Sequence, residues 1–500
     1  MSGSAAAGSP GGPDGAGIDV DGPIGVAEPA GPTEPVDRLA AIVGPLREAA
    51  ARFGTPLYLT DEATISAAAA ELRDAFPDPW IRQYSIKAND AAAVIALATG
   101  PERGLGANVV SRGEWAAVRK AGVPNARISL EGVGKTDADL AAAVHAVVEG
   151  DPLLWVAIES ADEAEALVVR ALRAGLGRAG RPAIDVLLRL NPEVHPETQA
   201  ALAVGAGGSK FGMTETELTA TAERLAASGG TVRPRGIHLH VGSQLGAIDA
   251  WRDAVRRGLA VLGLLRGGLP DLDTLDVGGG FAVSPVGEPG PRPERFAREL
   301  PGLLEAIPAD RRPDRFAIEP GRFVVARAGW LVARVLHVRE RGGRQVILDA
   351  GMTELIRPAL YGGVHPIVAL TSLGVPVEVV AATGRDTAGG HRPERPTRLM
   401  VGRELEPEPP RTIDGRPLAV VAPEPPVTVH GPICESTDAL GDHDLPPLRR
   451  GDLVAIRDAG AYAASLSSTY NGRPRPPQVV LTGDGLLILA RRRGSVSALG

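Results

Sequence analysis

The feature that most constrains how this chain can fold is an alternation. Short apolar, β-branched runs recur eight times: IRQYSIK (81–87), GANVVS (106–111), RISLEG (127–132), LLWVAIES (153–160), IDVLLRLN (184–191), GIHLHVGS (236–243), TLDVGGG (274–280) and RFAIEPGR (315–322). Most are followed by Ala- and Leu-rich segments with helical spacing, such as AAAVIALA (91–98), DADLAAAVHAVV (137–148) and TETELTATAERLAA (214–227). Strand and helix in regular alternation predict repeated parallel β–α units. Eight is the number of strands that closes a (β/α)8 barrel; an open doubly wound sheet is the alternative, but it has no reason to stop at eight. From about residue 331 the pattern changes to short β runs (VARVLHV, QVILDA, PVEVV, LVAIRDA, QVVLTGDGLLILA), which predict a separate β-rich barrel or sandwich. The expected fold class is therefore α/β, a (β/α)8 barrel followed by a β domain. The expected division is a tail at 1–36, the barrel at 37–325 (with 37–55 open to packing on the second domain) and the β domain at 326–500.

Residues 1–36 are Gly, Ala, Pro and Ser with scattered acids. Such a segment buries too little apolar surface to offset its ordering entropy, so disorder is expected there. It lacks the charged and long apolar regions of a signal peptide. A Pro-, Gly- and charge-rich stretch at 383–416 reads as an inserted surface loop. A formal net charge of −7 argues against a general nucleic-acid binder, whose affinity rests on a basic face. No apolar run reaches the length of a membrane span. The single cysteine, Cys434, excludes an internal disulfide framework and a cysteine-cluster metal site, and no metal is expected. The composition points to a reduced, cytoplasmic protein. Only four of the 53 basic residues are lysines (Lys87, Lys120, Lys135, Lys210), so chemistry that needs a primary amine has four candidates.

In a (β/α)8 barrel the functional groups gather where strands end, and several expected strand ends here carry unusual residues. Lys87 closes the first run. A lysine ending a buried strand either reaches out to solvent or, desolvated, becomes a nucleophilic amine suited to a Schiff base. His238 and His240 alternate with apolar residues in GIHLHVGS, so one is expected to face the barrel interior and the other the helical layer. Either one could instead stack on a flat cofactor, and Ser243 follows beside Gly242. Gly278, Gly279 and Gly280 close the seventh run, where barrel phosphate sites concentrate, and their backbone N–H groups are suited to cradling a phosphate, although three glycines can also simply make a turn. Glu319, Gly321 and Arg322 close the eighth run: an ion pair, or an acid under a ring nitrogen with a guanidinium beside an anion. Taken together, a strand-end lysine, a histidine, a glycine cradle and a carboxylate describe a pyridoxal-phosphate site. No P-loop or dinucleotide fingerprint occurs at the required strand–helix spacing.

The same motifs resemble, in order from about residue 55 to 480, the alanine-racemase-fold (fold-type III) pyridoxal-phosphate decarboxylases, and most of all the diaminopimelate decarboxylase family: YSIKAND, GLGANVVSRGE, LLRLNP with SKFG, GIHLHVGSQ, LDVGGGF, EPGR, DAGMTELIRPALYG, GPICESTD, GDLVAIRDAGAY and SLSSTYNGRPRP. The resemblance implies decarboxylation of meso-2,6-diaminopimelate to L-lysine and CO2, the last step of lysine biosynthesis, by a homodimer with shared active sites. By that resemblance Lys87 would carry pyridoxal 5'-phosphate and His240 would stack on its ring. Ser243, Gly278, Gly279, Gly280, Gly321 and Tyr462 would surround the phosphate, with Arg322 close by. Glu319 would pair with the pyridine nitrogen. Arg322, Arg357 and Tyr361 would hold the distal end of the substrate. Cys434 would be the proton donor and Glu435 would meet a substrate amine, both from the partner subunit; an ordinary thiol still carries its proton near neutral pH. Two positions depart from the family's pattern: Glu131, where a histidine is often found, and Asn108, where an aspartate is commoner. Rival readings are a decarboxylase of the same fold acting on ornithine, arginine or a carrier-bound amino acid, and a non-catalytic pyridoxal-phosphate-binding homologue.

Overall fold

The computed structural model describes residues 36–177, 182–196, 198, 203–205, 208–283, 290–370, 377–379, 381–382, 412–413, 416–417 and 426–495. Residues 1–35 and 383–411, most of the expected tail and insertion, lie outside the described residues.

Eight parallel strands close into a barrel: β2 (Ile81–Ser85), β3 (Gly106–Val109), β4 (Ile128–Leu130), β5 (Trp155–Ile158), β6 (Ile184–Arg189), β7 (Val232–His238), β8 (Thr274–Asp276) and β9 (Arg315–Ile318), with β9 returning to β2. β1 (Leu57–Asp61) precedes them in sequence and belongs to the other sheet. The barrel helices begin where local chemistry starts them. Thr136 and Asp139 form a reciprocal capping box before Asp137–Val148, and Thr214 and Glu217 do the same before Glu215–Ala226. Each box satisfies backbone N–H groups that a helix start otherwise leaves orphaned.

Strand parity decides what lines the barrel, since alternate side chains point to opposite faces. Ile128, Leu130, Val156, Ile158, Val186, Leu188, Ile237, Leu275 and Ile318 pack in one apolar cluster with the helices. The opposite parity points inward. Near the N-terminal end it is apolar, with Trp155, Leu187 and Ala317 packed together against Ile81. Toward the C-terminal end the inward positions become polar and buried: Asn108, Glu131, Glu159, Arg189, His238, Asp276 and Glu319. The barrel therefore carries a dry floor and a charged mouth.

The second sheet has β10 (Gly329–Glu340) at its centre. β10 pairs antiparallel with β1, with β11 (Arg344–Leu348) and with Leu453–Ile456. The last of these also pairs with β12 (Ile367–Leu370), and β1 runs parallel to Gln478–Leu481. The same alternation splits β10: Leu331, Ala333 and Val335 enter a cluster with Val346, Leu348 and Val429, whereas Trp330 and Val332 face the other side. That other side is covered by α1 (Val36–Phe53), whose Leu39, Ile42, Val43 and Leu46 pack on Leu57, Leu59, Val368 and Val479. Where the two units meet, Gly329 and Gly460 approach so closely that a Cβ on Gly329 would lie 2.0 Å from the Gly460 Cα. This contact brings the loop after Leu453–Ile456 onto the mouth of the barrel.

Candidate active site

Lys87 lies two residues past β2, in the short 3-10 turn Ile86–Ala88. Ile86 and Ala88 are buried while the Lys87 side chain is exposed, so of the two alternatives for this lysine the structure has the one that reaches out to solvent: the strand stops at Ser85, and the turn aims the amine outward. The turn itself is clamped by the β domain. The Tyr462 N–H donates to the Ala88 carbonyl at 2.8 Å, and the Asn89 side-chain amide donates to the Gly460 carbonyl at 3.0 Å. Tyr462 adopts φ 56°, a left-handed conformation that a bulky residue rarely takes. The Arg322 guanidinium sits 4.7 Å from the centre of its ring.

The two histidines do not diverge as expected. Residues two apart share a face of a strand, Leu239 between them packs with the helical layer, and β7 ends at His238. His238 is buried inside the mouth, with Nε2 3.4 Å from both the Glu131 and Glu319 carboxyl groups. His240 lies beyond the strand, half-buried, where Nδ1 accepts the Gly279 N–H at 3.3 Å. Burial and the nearby positive charges of Lys87 and Arg189 push His240 well below the usual imidazole range, so it is neutral and able to accept.

The glycine run is shaped by close approach. A Cβ on Gly278 would lie 2.3 Å from the Leu239 carbonyl oxygen, and one on Gly279 would lie 2.3 Å from that of Glu319. The Gly278 N–H already donates to Asp276 at 2.9 Å and the Gly279 N–H to His240, so two of the three amides expected to form a cradle are engaged inside the barrel. Gly280 has φ 104°, which favours glycine.

Glu319 follows β9 and is buried; the Asn108 amide donates to its Oε1 at 2.6 Å. Gly321 packs on Ser85, a Cβ there lying 3.0 Å from the Ser85 Cβ. Arg322 donates to Ser243 Oγ through Nε (3.3 Å) and Nη2 (3.2 Å), and its Nη1 is buried with no partner among the described residues. Arg357, on the short helix Arg357–Tyr361, meets His365 Nε2 at 2.9 Å and lies 5.7 Å from the Tyr361 ring centre; its Nε is likewise buried without a partner. Burial and the charge of Arg357 bring Arg322 down to about 10 and His365 to about 3. His365 is thus a neutral acceptor for Arg357. Among the described residues no carboxylate pairs with either guanidinium. Two buried cations with unsatisfied N–H groups make a site for an anion.

Cys434 and Glu435 stand apart. Both are exposed on the loop after Val427–His430, and among the described residues no hydrogen bond or ion pair ties them to Lys87, Arg322 or Glu319. The loop is held from beneath by buried Asp438, which accepts from the Ile433 and Met352 N–H groups at 2.6 Å each. The Glu435 carboxylate accepts from the Tyr470 hydroxyl at 2.6 Å. The sequence reading missed Asp276, His365, Asp438 and Tyr470. Asp276 was signalled by an acid inside an apolar strand; nothing in the sequence places His365 against Arg357.

The mouth has what pyridoxal phosphate requires of a protein: a free amine at Lys87, a half-buried neutral imidazole, a buried carboxylate, glycines where no side chain fits, and an orphaned guanidinium N–H. Comparison with known proteins agrees. Residues 62–326, just over half of the chain, match the family described as pyridoxal-dependent decarboxylase, pyridoxal binding domain. Diaminopimelate decarboxylase from Aquifex aeolicus is 33% identical over 450 residues, covering 89% of this chain and 91% of that protein. The one from Actinosynnema pretiosum subsp. auranticum is 34% identical over 457 residues, covering 90% and 89%. The crystal structure of diaminopimelate decarboxylase from Helicobacter pylori complexed with L-lysine superposes with a TM-score of 0.73 at 28% identity, covering 91% of this chain and 98% of that one. Among the described residues no helix is long and apolar enough to cross a membrane. The chain belongs to the pyridoxal-dependent decarboxylases, in the family of the diaminopimelate decarboxylases.

Proposed function

We propose that this protein removes CO2 from meso-2,6-diaminopimelate to give L-lysine, as a cytoplasmic homodimer. The observation that carries the substrate assignment is the Arg322–Arg357 pair, two buried guanidiniums beside the lysine turn for which the described residues offer no carboxylate counter-ion. Diaminopimelate has a second carboxylate to fill that site; ornithine and arginine have none.

Lys87 would hold pyridoxal phosphate through its amine, and His240 would lie against the ring. Ser243, Gly278, Gly279, Gly280, Gly321 and Tyr462 would surround the phosphate, and Glu319 would meet the pyridine nitrogen. When bound, the cofactor supplies an electron sink for the charge left on Cα as CO2 departs. The chain's residues do the rest. Glu319, a carboxylate in a site of low dielectric, keeps a proton on the ring nitrogen. Arg322, Arg357 and Tyr361 fix the distal carboxylate, which restricts decarboxylation to one end of the substrate. Cys434 gives a proton to Cα, and Glu435 meets the distal ammonium. Cys434 and Glu435 are exposed here, and Leu360, Leu466 and Tyr470 are large exposed side chains on neighbouring segments. That pattern supports completion of each pocket by Cys434 of the partner subunit.

The test is direct. Purified protein with pyridoxal phosphate and meso-diaminopimelate should release equimolar CO2 and L-lysine, with ornithine and arginine turned over at least a hundredfold more slowly, roughly the value of one buried charge pairing. Comparable turnover of ornithine or arginine would assign the protein to another decarboxylase of this fold.

A further inference from the structure

The barrel mouth holds more acid than the reaction uses. Glu131, Asp276 and Glu319, from the ends of β4, β8 and β9, surround His238, and all four are almost completely buried. One polar atom each of Glu131, His238 and Glu319 lies within 4.8 Å of the others. Among the described residues no lysine or arginine forms an ion pair with these carboxyl groups. Arg189, whose charge acts on His238, is committed to Glu159 at 2.5 Å, and Lys87 is close enough for its charge to act on His238 as well. Carboxylates in contact in such a place cannot all ionise, so at least one keeps its proton.

The donors decide which. Glu319 accepts from the Asn108 amide at 2.6 Å, and Asp276 accepts from the Gly278 N–H at 2.9 Å. Among the described residues Glu131 has weaker support: the Trp155 indole at 3.5 Å, a lesser share of Asn108, and His238 Nε2 at 3.4 Å, which it shares with Glu319. A strong hydrogen bond to the ionised form favours ionisation, and Glu319 is the better served of the two touching glutamates. Both positions that depart from the family's pattern fall in this cluster. Asn108 brings a donor where an aspartate would bring another acceptor, and Glu131 brings the acid.

We propose that Glu131 is a positioning residue that keeps its proton in the working protein and donates it in a hydrogen bond to Glu319, so that the charge stays on the carboxylate assigned to the cofactor ring. This rests on the role given to Glu319 above. The electrostatics agree: burial first, and then the Glu319 charge, push Glu131 up to about 8, while burial pushes the facing His238 down to about 4. His238 therefore offers no positive charge to either glutamate near neutral pH. Asp276 is raised as well, by burial first and then by the charges of Glu319 and Glu131.

The proton can be read without the cofactor. An acid raised in the folded state binds more protons folded than unfolded, so it lowers stability progressively as pH rises from the ordinary carboxylate range to about 8. Glu131→Gln removes that loss. In the ligand-free protein the melting temperature of E131Q should gain on wild type by a few degrees between pH 5 and pH 8, and the infrared carbonyl band of a protonated carboxyl in wild type at pH 7 should weaken in E131Q. A parallel pH dependence of the two proteins, or an unchanged band, overturns the proposal. In the loaded enzyme E131Q, whose amide still donates, should keep kcat within about threefold, whereas E131A should lose roughly 10- to 100-fold in kcat with KM little changed, the scale of a lost hydrogen bond to a charged group. E131Q as impaired as E131A overturns the donor role even if the proton is present. Should E131A fail to fold, the E131Q arms decide alone. If the ligand-free results hold but wild type neither binds pyridoxal phosphate nor decarboxylates, the role of Glu319 fails and the proposal falls with it; if wild type is active and the E131Q arms fail, only the proposal falls.

Discussion

The two halves of the site are built in opposite ways. At the barrel mouth Asn108, Glu131, His238, Asp276 and Glu319 are buried and fixed by neighbours contributed by five different strands and their ends. On the β domain Cys434, Glu435 and Tyr470 are exposed; among the described residues the side chains of Glu435 and Tyr470 are joined by one hydrogen bond, and Asp438 supports the loop. The difference teaches where a single chain is complete. Cofactor chemistry needs a preorganised environment, and the barrel mouth, with the Lys87 turn clamped by Gly460 and Tyr462 of the β domain, supplies it within one chain. The residues that would deliver a proton and recognise a second amine face solvent, as groups that are buried only on assembly do.

The sharpest break of this comparison is Lys87→Ala. If the Lys87 half of the site carries the cofactor, borohydride should fix pyridoxal phosphate on wild type and on the exposed-lysine controls Lys120→Ala and Lys210→Ala, and not on Lys87→Ala, whose decarboxylation should fall to background. Cofactor fixed on Lys87→Ala would move the amine elsewhere and leave the mouth without its defining group.

The second test exploits the exposed half. If each pocket joins Lys87 of one chain with Cys434 of the partner subunit, Lys87→Ala and Cys434→Ala are each inactive. Mixing them under conditions of subunit exchange should then restore roughly a quarter of wild-type activity, because about half the dimers are hybrids with one intact site in two. Exchange shown by differential tagging without recovered activity would put both residues in one chain and end the contrast between a complete and an incomplete half.

The sequence made the barrel legible because parity and burial agree there. Each of the eight runs overlaps an observed strand, but most overshoot its end by two to four residues. The reason is physical: Leu239, Val241 and Val277 are as buried beyond the strand ends as the strand residues are, so hydrophobicity does not stop where the ladder stops. That overshoot put Lys87 and His240 on strands rather than on the turns that aim them. Membership in the second sheet was harder to read. LYLTD at 57–61 is wholly buried, yet its partners are Gly329–Val332 and Gln478–Leu481. Only the long-range pairing reveals that this segment, ahead of the barrel in sequence, belongs to the β domain. At the site, individual polar residues were visible as chemical oddities in apolar strands. Their partnerships, Glu131 with Glu319 and Arg357 with His365, join segments whose meeting depends on barrel closure and on the helix Arg357–Tyr361, and no local pattern encodes them.

The smallest expected effect falls on Tyr470. Its hydroxyl donates to Glu435, and the carboxylate in turn holds the phenol above its usual range, so the pair is arranged for a charged Glu435. In the isolated chain both groups are exposed, and an exposed contact of this kind contributes little to folding. Under the proposed function it would restrict where the Glu435 carboxylate points when a substrate ammonium arrives. Tyr470→Phe should therefore leave the melting temperature and kcat near wild type and raise KM for diaminopimelate roughly two- to tenfold, the range for losing one orienting hydrogen bond in binding without touching the reacting atoms. Steady-state kinetics on wild type and Tyr470→Phe decide it. A fall in kcat at constant KM would place Tyr470 with Cys434 in proton delivery, and no change in either constant would show that Glu435 takes its position from the partner subunit rather than from its own chain.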